Sequence, residues 1–235
     1  MKKNIFALLF VLTLVVVGTV VIRTNGTCDE SITTVPLKSI VTAFDVEQDA
    51  VLSRVHIEES CTVGKTTYYV VEYEGEQLLL FMSGIGPSEA TRTTEKTLST
   101  FNVTLLVFSG IAGAVDTSLT IGDTIVAREW LDDEGDDAIQ VPDMHLQQAR
   151  QESIRIVEKG ISVDYFVTDT TVLPQGVSIV DMETHDVAAV AQTHNVPFIA
   201  FRSISDFADG SESTTKFVTA AGNSADTALT FLSQR

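Results

Sequence analysis

Three carboxylates stand where an α/β protein does its chemistry. Glu47, Glu183 and Asp206 each fall just past the carboxyl end of a run that reads as a strand, namely Ser39–Ala43, Ser178–Val180 and Phe198–Phe201. In open α/β sheets that edge is where ligands bind. Carboxyl groups in different surroundings take different protonation states, so one can give a proton while another accepts one. Such a set suits cleavage of a bond whose leaving group must be protonated while water is deprotonated. Taken singly, each residue also has a plainer reading. Glu47 would favour the first turn of a helix by roughly 0.3–1 kcal/mol, and Asp206 would cap the segment that follows it. Met182 would be core, and Arg202 would pair with any acid.

The elements that must position these residues alternate along the chain. The strand Ser39–Ala43 leads into a helix that opens at Phe44 and runs to about Val55. Thr66–Tyr73 and Gln77–Met82 flank Glu74-Gly75, a hairpin signal. Ser83-Gly-Ile-Gly86 turns into a helix over Ser88–Thr100. Leu105–Ser109 reads as a buried strand ending in Gly110-Ile-Ala-Gly113, and Thr124–Arg128 as another after a turn over Asp116–Asp123. Trp130–Asp143 carries six acids without periodicity and is expected to be an exposed flap. Met144–Lys159 is expected as a helix, Tyr165–Thr168 as a strand and Thr214–Leu232 as a closing helix. Val187, Val190 and Ala191 share one face of a helix between two apolar runs. Strands alternating with helices predict an α/β fold, a three-layer αβα sandwich around a mixed central sheet.

Val180-Asp-Met-Glu183, Pro197-Phe198 and Arg202-Ser-Ile-Ser-Asp206 resemble the purine nucleoside phosphorylase and nucleosidase superfamily. The branch they resemble most is 5'-methylthioadenosine/S-adenosylhomocysteine nucleosidase. Ser83–Gly86, Gly110–Gly113 and Gly122-Asp123 resemble loops of the same family, so the likeness runs from about Ile40 to Phe231. It implies a nucleoside phosphorylase-like fold and hydrolysis of the N-glycosidic bond of methylthioadenosine, S-adenosylhomocysteine or a similar adenine nucleoside. On that resemblance Glu47 is the general base for water, and Asp206 is the acid that protonates N7 of the purine. Met182 and Glu183 hold the ribose, and Arg202 places water or pairs with Glu47. Gly113 and Val172 meet the base through backbone groups. The resemblance also implies a homodimer with a small-molecule nucleoside as its partner.

Three positions depart from the family pattern. Ile111 stands where a small hydroxyl residue is common, Thr171 stands where an aromatic usually stacks on the purine, and the segment Thr170–Ser178 is short. Two alternatives follow. One is a phosphate-dependent phosphorylase, although the arginine that hexameric phosphorylases carry before the glycine loop is Phe108 here, and an anion site without arginine is poorer. The other is a non-catalytic nucleoside-binding or storage protein, which Ile111 and Thr171 favour.

The 235 residues, 44% hydrophobic, suffice for one sizeable core. A net charge of −17, from 32 acidic and 15 basic residues, argues against a nucleic-acid partner. Ile5–Ile22 is an apolar to weakly polar run behind Lys2-Lys3. Residues 1–23 are therefore expected as a signal peptide or N-terminal membrane anchor, 24–37 as a linker and 38–235 as the domain. That arrangement would place the domain outside the cytoplasm, secreted or held to a membrane. Cys28 and Cys61 would contribute roughly 3–4 kcal/mol if bridged; two unpaired thiols are an equal reading. With four scattered histidines they are too few for a metal centre. The glycine loops lack a dinucleotide fingerprint, and no cofactor is expected.

Overall fold

The computed structural model describes residues 26–210 and 214–234. A short helix, α1 (Glu30–Thr33), precedes β1 (Leu37–Thr42) and α2 (Asp45–Leu52). A meander follows, of β2 (His56–Val63), β3 (Thr66–Tyr73) and β4 (Glu76–Met82). Glu74 and Gly75 both take positive φ (51° and 86°) at its second turn, as the hairpin signal requires. Next come α3 (Pro87–Thr100), which opens on a proline, and the twelve-residue β5 (Val103–Ala114). The remainder is β6 (Thr124–Leu131), β7 (Ala138–Gln140), α4 (Asp143–Gln151), β8 (Arg155–Ser162), β9 (Val177–Asp181), α5 (Thr184–Thr193), β10 (Phe198–Asp206) and α6 (Thr214–Ser233).

The mixed sheet has two parts that share β5. On one side β1 lies between β5 and β4, parallel to both, and β3 and β2 extend the sheet antiparallel as an open wing. On the other side β5 pairs in parallel with β10 from Leu106 to Gly113. From β10 the pairing continues to β6, β8 and β9, and β9 returns to β5 at Gly113 and Ala114. Five strands thus close a ring. The helix α6 packs on α2 and covers β5 and β10, while α3 packs on α5, which lies over β8 and β10. The expected αβα sandwich is what forms. β10 is buried along its whole length, as an uninterrupted apolar run predicts.

Several local expectations are corrected. The helix expected over Met144–Lys159 stops at Gln151; Ser153 turns the chain at φ 62°, and Arg155–Ser162 becomes β8 between β6 and β9. Ladder pairing on both sides overrides the local helical pattern there. Tyr165–Thr168 is not a strand but part of a loop. The acidic stretch is only partly a flap, since Trp130 is fully buried in β6, Ala138–Gln140 form β7, and the tip at 132–137 is loop. Part of the expected linker is folded: Cys28 is bridged to Cys61 on β2, and Thr27 pairs with Thr62. The apolar run at Ile5–Ile22 lies outside the described residues. No helix among the described residues is long and apolar enough to cross a membrane.

Candidate active site

Asp206 is aimed by an irregularity in β10. The register against β5 steps between Ile204 and Asp206, so that Ser205 is an extra residue and Asp206 stands opposite Gly113. A bulge re-aims side chains, and Ser205 and Asp206 both line one cavity of about 250 Å³. Asp206 Oδ1 accepts the Ala208 N–H at 2.8 Å, and Oδ2 accepts the Ser205 hydroxyl at 2.8 Å. A Cβ at residue 113 would lie 3.0 Å from Asp206 Oδ1 and 3.1 Å from Ala208 Cβ. Glycine is what lets β5 approach this closely.

Glu47 sits in the first turn of α2, and its carboxylate folds back. Oε2 accepts the Ala43 N–H at 2.7 Å, and Oε1 accepts the Ile111 N–H at 2.8 Å. The side chain is buried against the cavity, so the plain helix-end reading fails. Burial pushes its pKa above the usual carboxylate range, while Arg202 and the two amides pull it back. Glu183 follows β9, and its Oε1 accepts the Gly86 N–H at 2.8 Å. Its pKa is pushed up to about 8, first by burial and then by the charge of Asp181, against the pull of Arg202 and Gly86.

Asp181 was left without a role by sequence reasoning, although it stands inside the motif Val180-Asp-Met-Glu183. It lines the cavity and is densely bound. Oδ1 accepts the Ser162 hydroxyl at 2.5 Å and the N–H groups of Glu183 and Thr184 at 3.3 and 3.2 Å. Oδ2 accepts the Thr184 hydroxyl and pairs with Arg202 Nη2 at 2.6 Å.

Arg202 departs from its expected place. Its guanidinium is buried behind the cavity wall, 3.8 Å over the Phe108 ring, and it does not line the cavity. It pairs with Asp181 and, at 3.7 Å through Nη1, with Glu47. The expected pairing with Glu47 is therefore present, and the guanidinium does not reach the cavity wall. A Cβ at residue 110 would fall 1.8 Å from Nη1, so Gly110 is needed for the arginine to fit.

Val172, expected beside the base, lies outside the cavity wall. Val172 lies on a single 3-10 turn at Thr170–Val172, is 62% exposed and is absent from the cavity wall, as is Thr171. Tyr165, Phe166 and Val167 line that wall instead. The signal was the aromatic pair in Tyr165-Phe166, which reads as strand by composition. Gly113, Met182 and Ile111 line the cavity together with Phe44, Ile85 and Phe217. The structure thus brings Glu47, Gly113, Met182, Glu183 and Asp206 to one place and leaves Val172 outside it.

This site lies at one end of a mixed sheet, between helices, in an α/β fold. Residues 39–234 match the model of the Phosphorylase superfamily, and the chain belongs to that family. A 5'-methylthioadenosine/S-adenosylhomocysteine nucleosidase of Staphylococcus haemolyticus is 26% identical over 198 residues, covering 73% of this chain and 86% of that one. The 5'-methylthioadenosine/S-adenosyl homocysteine nucleosidase of Helicobacter pylori, solved with a pyrrolopyrimidine ligand, superposes with a TM-score of 0.72 at 26% identity. That match covers 86% of this chain and 96% of the other. The futalosine hydrolase of Helicobacter pylori gives 0.71 at 26%, covering 87% and 97%.

The expectation of an extracytoplasmic domain, secreted or anchored, is corrected here. The nucleosidase relatives match this chain through its folded domain, and none of the described helices is long and apolar enough to span a bilayer.

Proposed function

We propose that this chain is a purine nucleosidase that hydrolyses the N-glycosidic bond of adenine nucleosides, methylthioadenosine and S-adenosylhomocysteine among them. The observation that carries this reading is the make-up of the cavity wall. Glu47, Asp181, Glu183 and Asp206 line it, with no lysine or arginine among the lining residues. Such a wall repels phosphate and tolerates water as the attacking group. The phosphorylase alternative needs a cation for phosphate, and the nearby guanidinium is already committed to Asp181 and Glu47. The storage-protein alternative leaves a buried acid–base set without a task.

The chemistry follows from the placement. Glu47, a base strengthened by burial, takes a proton from water as the water oxygen attacks C1'. The bond between C1' and the purine nitrogen breaks with its electron pair going to the base, which Asp206 protonates at N7. Glu183 and Met182 hold the ribose, Phe166 packs against the purine, and the Gly113 backbone borders it. A neutral Glu183 carboxyl can donate as well as accept a hydrogen bond, which suits paired hydroxyls. Hydrolase neighbours named for different nucleosides share this fold, so the 5' group is read by the apolar rim of Ile85 and Phe217. We propose a homodimer in which the exposed rim residue Tyr165 meets a second copy.

Incubation with methylthioadenosine, with and without phosphate, tests the function. Adenine and free sugar should form at equal rates in both. Accumulation of sugar 1-phosphate, with no release in its absence, would overturn hydrolysis. Sedimentation of the pure protein tests the dimer, and a monomer at micromolar concentration would refute it.

A further inference from the structure

The mechanism above makes no use of the most heavily bonded carboxylate in the cavity wall. Asp181 is 8% exposed and takes five contacts from its surroundings: Ser162, the Glu183 and Thr184 amides, the Thr184 hydroxyl and Arg202. Burying a charge this deeply is costly unless its partners are fixed. Here they form a chain. Thr184 Oγ1 donates to Asp181 and accepts from Arg202 Nε at 3.0 Å and Nη2 at 2.6 Å. The guanidinium is thereby gripped along one edge by Asp181 and Thr184, and its face rests on Phe108. Only Nη1 is left, buried and without a hydrogen-bond partner among the described residues, 3.7 Å from Glu47 Oε1.

We infer that Asp181 is a positioning residue of this site: it holds Arg202, directly and through Thr184, so that Nη1 is turned toward the base Glu47. This rests on the nucleosidase reading for its consequence and on geometry alone for its existence. A guanidinium without that grip would swing onto Glu47 and close a full ion pair with it. A carboxylate so paired is a weaker base. Nη1, held at arm's length, instead supports the charge on Glu47 without consuming its oxygens. The ionisable groups around Glu47 are Arg202 from β10, Asp181 from β9 and Glu183 beyond it. Removing the Asp181 charge and releasing Arg202 act in the same direction, toward a more acidic Glu47.

The test uses the full chain and two readouts. Asp181→Asn should lower kcat about 10²-fold, the scale of a misplaced catalytic group, with little change in KM. Asp181→Asn combined with Arg202→Gln should be no slower than Arg202→Gln alone, because residues acting through one another are not additive. The second readout needs no turnover: in carboxyl-carbon NMR, Glu47 should titrate at lower pH in Asp181→Asn than in the wild type. If Asp181→Asn does not fold, Thr184→Val removes the bridging hydroxyl and is read in both ways. Multiplicative losses in the double variant, or an unmoved Glu47 titration, overturn the proposal. A wild type that is inert on nucleosides but shows the Glu47 shift refutes the nucleosidase reading and leaves the clamp standing.

Discussion

The open wing and the closed ring are built from the same kind of strand, yet they bury different things. Among the described residues, β2, β3 and β4 bury no carboxylate, guanidinium or imidazole. In their core Tyr68 packs tilted against Phe101 and Phe81, with ring centroids 4.6 and 5.9 Å away, and shares a 3.0 Å hydrogen bond with Thr97. The ring, by contrast, buries Asp181 and Glu183 at the end of β9 and Arg202 and Asp206 on β10. The wing strands β2 and β3 each end in a tight turn. Ring strands end facing one another, so polar groups at their tips find partners across the gap: Ser162 on β8 reaches Asp181 on β9. Closure is what makes a cluster of buried charge affordable.

The largest expected effect breaks the ring without unfolding it. Asp206→Asn keeps the shape and can still accept the Ala208 N–H, but it loses the transferable proton. General acid catalysis is worth about 10²–10⁴-fold, so kcat on methylthioadenosine should fall by that order. Binding should weaken far less, because the ribose contacts remain. Steady-state kinetics beside a thermal melt decide the matter. A melt that collapses together with kcat would make Asp206 structural.

The matching wing variant should do the reverse. Cys61→Ser opens the bridge to Cys28, which closes a separation of 33 residues. Chain-entropy arguments put the loss at about 3–4 kcal/mol. Urea unfolding should show it, with kcat unchanged in the folded protein. A fall in kcat of the same order as that of Asp206→Asn would show that wing and ring are not separable.

How far the sequence could be read follows the same division. β1, the hairpin of β3 and β4, β10 and α6 were legible, because their apolar periods and turn residues are local signals. Glu47 and Glu183 were legible because each follows such a strand, and Asp206 because it ends one, although β10 runs on through Asp206 rather than stopping at Phe201. The arrangement of Asp181 with Arg202 was not, since it depends on β9 and β10 meeting across the ring, and no spacing along the chain encodes that. β8 was misread for a related reason: Arg155–Ser162 takes its strand form from neighbours on both sides. Val172 rests on the family resemblance alone, and in a loop without periodicity nothing local marks Tyr165–Val167 as the stretch that lines the cavity.

A smaller effect separates ring from wing by pH. Glu183 holds its proton up to about pH 8, against an ordinary value of 4.5. Between those values the native state binds a proton that the unfolded chain has released. Stability from this group is therefore lost as pH rises through the window, by at most about 1.4 kcal/mol per pH unit. Glu183→Gln removes that slope, so its stability relative to wild type should improve from pH 5 to pH 7.5 in urea unfolding. A constant difference across the range would mean that Glu183 is ionised in the native protein. Cys61→Ser, in the wing, should leave the slope as it is.

The smallest effect tests which stretch of the loop forms the base wall. Phe166 lines the cavity and is 43% exposed, so it contributes more to a ligand than to the core. An aromatic ring packed on a purine is worth about 0.5–1.5 kcal/mol beyond the area it buries. Phe166→Leu keeps an apolar side chain there but removes the π face. KM for methylthioadenosine should then rise about three- to tenfold, with kcat and the melting temperature nearly unchanged. Val172→Ala is the paired control: Val172 lies outside the cavity, and its KM should stay within about twofold of wild type, as for other exposed substitutions. If Val172→Ala moves KM and Phe166→Leu does not, the purine rests on the 3-10 turn at Thr170–Val172, and the wall assigned to Tyr165–Val167 is wrong.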